Sequence, residues 1–421
     1  MSARAASQEI PFTSGSYKML TLVSAAHAMT HMYAALLPLT FPFLIQEFGI
    51  NYTILGAMMG IATLMGGLLQ FVFGYASRYI SRKILIGGGN LLLGLSTLWG
   101  GWSPNFAHYV AARWAAALVT SPQHPVGNSM IADRFGRTLR GLAMAINYAG
   151  GNAGTLFVPI AAALLIAAYG WRQTMLIFAL PSLIVGIVAI VFIDDRPAAG
   201  SKTEVGSKKE FRSMMRETRE LFHNRTFKSL MAASLIAAGG RGLGIVLNFI
   251  PPYLGDPMKG LGLPPKTVGL IYTLLLLGSI LGPLLLGRLS DRLGVRKPVV
   301  ILAYLVSTAC VFFLAISPQQ GWLLYLVIFV FGCAIFSESP LIQSFMSDVT
   351  PAGSRDIMFG TYFAIAFGVS SLWVTLQGWL VDRFGFPAMF TTMGASYVVA
   401  ALFILGAREA PRATPAEGLG P

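Results

Sequence analysis

Twelve continuous apolar stretches, separated by short polar junctions, make up most of the chain; they fall near 19–46, 53–77, 84–102, 106–130, 141–168, 173–193, 228–254, 267–287, 298–317, 321–346, 357–381 and 387–407. Each is close to the roughly 20 residues that an α-helix needs to cross about 30 Å of hydrocarbon. The pattern predicts an all-α polytopic membrane protein with twelve transmembrane helices. The opening segment MSARAASQEIPFTSGSYK has no short apolar core followed by a small-residue cleavage site, so it reads as a cytosolic tail and not as a signal peptide.

One longer polar stretch, Asp194 to Lys228, divides the spans six and six. The predicted organisation is an N-terminal six-helix half over 1–195, a cytosolic linker over 196–227, and a C-terminal six-helix half with a short cytosolic tail over 228–421. Within the linker, EFRSMMRETRELF (Glu210–Phe222) has apolar residues at 211, 214, 215, 221 and 222. That spacing suits an amphipathic helix at the headgroups, and a solvated linker with a basic bias suits it equally.

Composition sharpens this picture. Of 421 residues 55% are hydrophobic and 11% charged, and the mean hydropathy is +0.67, which rules out a water-soluble globule. The net charge of +13 raises the question of nucleic acid, and the positions of the 30 Lys and Arg answer it. If the N-terminus is cytosolic, 24 of them fall on tails and junctions of the cytosolic side, 4 on the opposite side (Arg172, Lys259, Lys266, Arg383), and Arg113 and Arg241 lie inside spans. This is a positive-inside bias. It predicts an inner (plasma) membrane protein with both termini cytoplasmic, and no nucleic-acid partner. Cys310 and Cys333 lie inside spans, so there is no disulfide framework or zinc-ligand cluster.

The two halves repeat at an offset of 213 to 215 residues. GYASRYISRK (74–83) aligns with GRLSDRLGVRK (287–297), and Tyr169-Gly170 with Phe384-Gly385. Without a gap, Pro125, Asn128, Ser129, Asp133 and Arg140 fall on Pro340, Gln343, Ser344, Asp348 and Arg355. Parallel six-helix repeats of this kind build secondary transporters whose site lies near the midplane between the halves.

These residues carry a family resemblance. GRLSDRLGVRK closely resembles the loop motif of the major facilitator superfamily, G-x-x-x-D-R-x-G-x-[RK]-[RK], with Gly287, Asp291, Arg292, Gly294 and Arg296 in place. The first-half copy keeps Gly74, Arg82 and Lys83 but has Arg78, Tyr79 and Ser81 where aspartate, arginine and glycine belong. If that aspartate latches the halves on the cytosolic side, the latch is asymmetric. A narrower resemblance, to the fosmidomycin-resistance-like exporters, is carried by His27, His124-Pro125 and the glycine-rich RGLAMAINYAGGNAGTLFVP (140–159), with His31 where such proteins are expected to have an aspartate. The superfamily resemblance implies that the first, fourth, seventh and tenth spans line a central cavity.

Candidate chemistry concentrates on those four spans. Ionisable groups at mid-span cost roughly 2.5–3.5 kcal/mol on insertion scales and normally face a cavity or a partner. Arg113, Arg241 and Glu338 meet that description and are expected to face the cavity. Arg113, Thr120, His124 and Asn128 share one face of the fourth span, with Gln123 beside them; His27 and His31 share a face of the first; Arg241 and Asn248 share one of the seventh. Each has a structural alternative. Arg113 could bond backbone carbonyls, Arg241 and Glu338 could form a permanent ion pair, the histidines could be packing groups, and His124 could satisfy carbonyls freed by the Pro125 kink. The pairs Gly56/Gly60, Gly150/Gly154 and Gly278/Gly282 permit close helix approach, as static packing or as sliding contacts.

H-A-M-T-H lacks a glutamate, and neither a G-x-x-x-x-G-K-[ST] loop nor a G-x-S-x-G elbow is present, so neither an ATP-driven pump nor an enzyme is expected. His27 and His31 with Met29 and Met32 form an incomplete ligand set, so no metal or other cofactor is expected. The reading is a monomeric secondary active transporter that exports a small anionic or amphiphilic organic solute against protons by alternating access. Its partners are that solute, protons and membrane lipids. Proton-coupled import of an organic anion and a non-transporting receptor on the same fold are the alternatives. Glu338 is the first candidate for the coupling proton, with His27 and His124 behind it because imidazole titrates near neutral pH.

Overall fold

The computed structural model describes residues 14–77, 79–135, 137–194, 216, 218–240, 242–316, 321–350 and 355–409, and among these no strand occurs. Most of the proposed linker helix at Glu210–Phe222 lies outside the described residues. Hydrocarbon cannot hydrogen-bond the backbone, so the chain satisfies its own peptide groups in helices. These are α1 (Ser14–Phe48), α2 (Tyr52–Ala76), a π-helical turn Ile84–Gly88 leading into α3 (Gly89–Gly101), α4 (Phe106–Thr120), α5 (Gln123–Arg134), α6 (Arg137–Phe192), α7 (Arg225–Ala237), α8 (Leu247–Gly255), α9 (Pro265–Leu293), α10 (Lys297–Ile316), α11 (Trp322–Asp348), α12 (Arg355–Phe384) and α13 (Phe386–Leu405).

Ten of the described helical stretches are long and apolar enough to cross a membrane, and the two departures from twelve have local causes. The fifth and sixth spans form one helical run, α6, which breaks at Gly170 with φ 80°, ψ 168°. Its repeat mate Gly385 adopts φ 80°, ψ 175° between α12 and α13. Both need the left-handed region that glycine enters freely, so the repeat seen in sequence extends to backbone conformation. The fourth span is split into α4 and α5 because Pro122 has no N–H to give the Leu118 carbonyl. The Ser121 N–H turns back to that carbonyl at 3.3 Å instead. The seventh span is broken too, with α7 and α8 joined through a 3-10 turn at Ala238–Gly240 and a π-helical turn at Gly242–Val246. Side chains accommodate that break: Gln377 Nε2 donates to the Gly239 carbonyl and the Tyr397 hydroxyl to that of Gly240.

The helices pack as two compact units. One holds residues 1–50, 61–204 and 263–270; the other holds 51–60, 205–262 and 271–421. In the first, α1 lies on α6, and Gly150 and Gly154 let it approach: a methyl at Gly154 would come 2.9 Å from the Ala28 carbonyl oxygen. The start of α9 belongs to this unit, with Gly269 set against the Pro159 carbonyl of α6 at 2.5 Å from a would-be Cβ. In the second unit the start of α2 lies on α12, where a methyl at Gly56 would come 2.6 Å from the Val374 carbonyl oxygen. Gly56 and Gly269 stand 213 residues apart, so the repeat places a glycine at the same backbone contact in each unit. Gly282 of α9 meets the Cys333 backbone of α11.

All three glycine pairs therefore seat backbone against backbone. Gly282→Leu should lower the thermal midpoint of the detergent-solubilised protein, because overfilling a packed contact costs about 1–3 kcal/mol. Gly66→Leu on α2, where nothing lies within 4 Å, is the matched control and should leave the midpoint unchanged.

Outer faces are apolar, with Leu68, Phe157, Ile184 and Leu372 all exposed, as expected of helices whose solvent is lipid. Ion pairs sit at helix ends. In the first unit Asp133 of α5 pairs with Arg82 at 2.6 Å, and Arg172 with Glu47 at 2.6 Å. In the second, Asp382 of α12 caps the start of α2, accepting from the N–H groups of Tyr52 and Thr53 at 3.0 and 2.7 Å, and pairs with Lys259 at 3.0 Å. A carboxylate at a helix N-terminus complements the dipole there.

Candidate functional site

The first unit gathers residues that the sequence leaves on separate spans. His27 and His31, one turn apart on α1, meet His124 of α5. Ring centroids are 4.6 Å apart for His27 and His31, 5.0 Å for His27 and His124, and 6.3 Å for His31 and His124. The break at Pro122 delivers His124 here, since it starts α5 as a separate helix with His124 in its first turn. His27 is buried, and its Nδ1 bonds the Asn147 carbonyl of α6 at 3.0 Å. Gly151 of α6 lies directly against the His27 ring.

The neighbours of this trio divide into packing groups and open ones. Gln123 is buried and donates to the Val23 carbonyl at 3.2 Å, tying α5 to α1. Thr120 turns back on its own helix, donating to the Ala116 carbonyl at 2.9 Å. Asn128 donates to the Tyr148 hydroxyl at 3.4 Å. Tyr148, 5.8 Å from His27 between ring centroids, was not singled out in the sequence because an aromatic in an apolar span carries no distinguishing pattern.

Arg113 of α4 packs against Tyr33 of α1, its guanidinium carbon 5.8 Å from the ring centroid. Its Nε is buried without a hydrogen-bond partner among the described residues. The backbone-carbonyl role that sequence allowed for Arg113 is not seen for that atom. Tyr33 is another group the sequence did not point to.

In the second unit Glu338 of α11 is 1% exposed, and its Oε1 accepts the Tyr304 hydroxyl of α10 at 3.0 Å. Asn248 of α8 is buried and donates to the Gly244 carbonyl one turn back, within the broken seventh span. Arg241 lies outside the described residues, and with it the expected Arg241–Glu338 pair. Glu338 is buried, and Arg113 is half-buried.

The loop motif forms a compact ion network in the second unit. Arg296 bonds Asp291 at 2.6 Å and Asp348 of α11 at 3.2 Å. Burial alone would lower the Arg296 pKa, but the hydrogen bonds that its guanidinium donates to Asp291 and Asp348 outweigh it and hold the pKa above its ordinary value. Arg292, in the last turn of α9, is exposed, and Gly287 has nothing within 4 Å of a would-be Cβ. In the first unit Arg82 pairs with Asp133, and Gly74 lies against Pro125 at 3.6 Å; Arg78 lies outside the described residues. Asp133 and Asp348 are repeat mates, as are Arg82 and Arg296. Each copy thus anchors its own junction, with or without the motif aspartate. Asp291→Asn should slow transport more than it weakens cargo affinity in a paired flux and binding measurement, and equal losses would assign Asp291 to folding alone.

The Major Facilitator Superfamily model matches residues 23–258 and 237–420. The chain belongs to the major facilitator superfamily. Among its relatives, the MFS-type transporter YfnC of Bacillus subtilis is 25% identical over 88% of each chain. The probable sulfoacetate transporter SauU of Cupriavidus necator is 23% identical over 86% of each. The crystal structure of the nucleoside transporter NupG superposes with a TM-score of 0.75 at 13% identity, covering 93% of this chain and 98% of that one; this likeness concerns the fold alone. As a member of the superfamily, the protein is an integral membrane secondary transporter for a small molecule.

Proposed function

We propose that this transporter exports a small organic anion in exchange for protons by alternating access of its two six-helix halves. One observation carries the reading: Arg113 is a mid-span cation, and the described carboxylates of its half are all paired elsewhere, Asp194 with Arg134 among them. Between residues 48 and 193 the only Asp or Glu is Asp133, which is paired with Arg82, while Glu47 is paired with Arg172. A guanidinium partly withdrawn from water without a counter-charge is costly, and an anionic cargo supplies one during each cycle. The name of the sulfoacetate transporter relative, that of an organic anion carrier, supports this chemistry, and the resemblance to fosmidomycin-resistance-like exporters supports the outward direction.

The coupling proton is assigned to Glu338, a buried carboxylate that accepts the Tyr304 hydroxyl and changes the charge of its surroundings on protonation. The charge bias of the junctions supports cytoplasmic termini in an inner membrane, with the monomer as the working unit.

Proteoliposomes test this with sulfoacetate, short carboxylates and phosphonates as probes beside uncharged analogues, the membrane potential being clamped. Antiport predicts that an acidic interior drives accumulation of an anion, whereas an importer by symport requires an acidic exterior. Equal accumulation of uncharged analogues, or indifference to both gradients, would overturn the proposal.

A further inference from the structure

We propose that His27, His31 and His124 form a binding site for a divalent transition-metal ion of the zinc or cobalt kind. One nitrogen from each imidazole lies within 4.8 Å of the others. A metal–nitrogen bond of about 2.0–2.1 Å in tetrahedral geometry requires nitrogens roughly 3.3 Å apart, so the trio must close by about 1.5 Å at most. Rotation of His31 and His124 can supply that movement, because neither forms a hydrogen bond to a described residue.

His27 is already set for ligation. A carbonyl oxygen only accepts, so the bond to Asn147 places the proton on Nδ1 and leaves the Nε2 lone pair available. A carbonyl that accepts from the other ring nitrogen and so fixes tautomer and ring orientation is the usual companion of a metal-binding histidine. His27 is 1% exposed, and Nε2 is buried with no hydrogen-bond partner among the described residues. A buried acceptor without a partner is destabilising, and a metal ion would relieve that cost.

The donor set selects the ion. Three neutral imidazoles suit zinc, cobalt, nickel or copper, whereas calcium and magnesium require oxygen ligands. Three protein ligands leave one tetrahedral position open to water or another small ligand. The sequence showed two histidines and an incomplete set; the break at Pro122 brings the third.

The test uses the full-length protein, purified with any polyhistidine tag removed and stripped with chelator. Titration with cobalt(II) chloride should produce the visible ligand-field absorption of a four-coordinate centre at one equivalent, and zinc chloride should displace it. His31→Ala and His124→Ala should each weaken binding about 10-fold or more and bleach the band, while His108→Ala should change nothing. His27 is left intact because its buried bond to Asn147 supports the fold, and a size-exclusion profile matching wild type shows that each variant is folded. Absence of binding to the wild-type protein, or binding that survives the folded His31→Ala/His124→Ala double variant, would overturn the proposal. Neither result bears on anion transport, which rests on Arg113.

Discussion

Arg113→Gln should abolish anion transport while leaving the cargo-free protein as stable as before. Removing one partner of a buried charge pair typically costs about 2–5 kcal/mol, or roughly 30-fold and upward in affinity. Here the lost pair is the one made with bound cargo, because the first unit's described carboxylates, Glu47, Asp133 and Asp194, are committed elsewhere. The thermal midpoint without cargo should therefore hold or rise slightly, since a half-buried cation has been removed. Arg113→Lys should retain part of the affinity, because it keeps the charge but loses the planar donor fork. Paired binding and melting curves check this. A large drop in cargo-free stability would make Arg113 a structural residue that holds α4 to α1 through Tyr33.

Glu338→Gln should uncouple the carrier. Glutamine keeps an oxygen that accepts from the Tyr304 hydroxyl, so the local packing survives while the titrating group is gone. Accumulation driven by a pH gradient should fall to the background of empty vesicles, whereas exchange of labelled for unlabelled cargo at equal pH should continue and lose its pH dependence. Unchanged pH dependence in the variant would remove Glu338 from the coupling step.

Much of the architecture was legible in the sequence because its causes are local. Span length follows from bilayer thickness, the repeat from aligned residues such as Asp133 and Asp348, and the joints at Gly170 and Gly385 from a backbone conformation open to glycine. Less legible was anything that depends on which helices meet. His27 and His31 were visible as one face of α1, but nothing in the spacing shows that Pro122 ends α4 early enough to bring His124 to them. Tyr33, Tyr148 and Tyr304 were overlooked because a tyrosine in an apolar span looks like any other large residue until its hydroxyl or ring has a named neighbour. The motif names no partner for Arg82 in the first-half copy, which lacks the aspartate; that partner is Asp133, on another helix. The exchange of helix starts between the units, residues 51–60 and 263–270, was also hidden, although Gly56 is visible in a G-x-x-x-G pair. A close contact needs a partner surface, and sequence spacing names only one side of it.

The central claim is that Arg113 receives an anion, and a ligand-induced thermal-shift screen of the purified protein tests it most directly. Sulfonates, carboxylates and phosphonates are compared with uncharged and cationic molecules of the same size, for wild type and Arg113→Gln side by side. Stabilisation by one or more anions, absent for their uncharged analogues and lost in Arg113→Gln, is the predicted result. Stabilisation by uncharged or cationic molecules that persists undiminished in Arg113→Gln would contradict it.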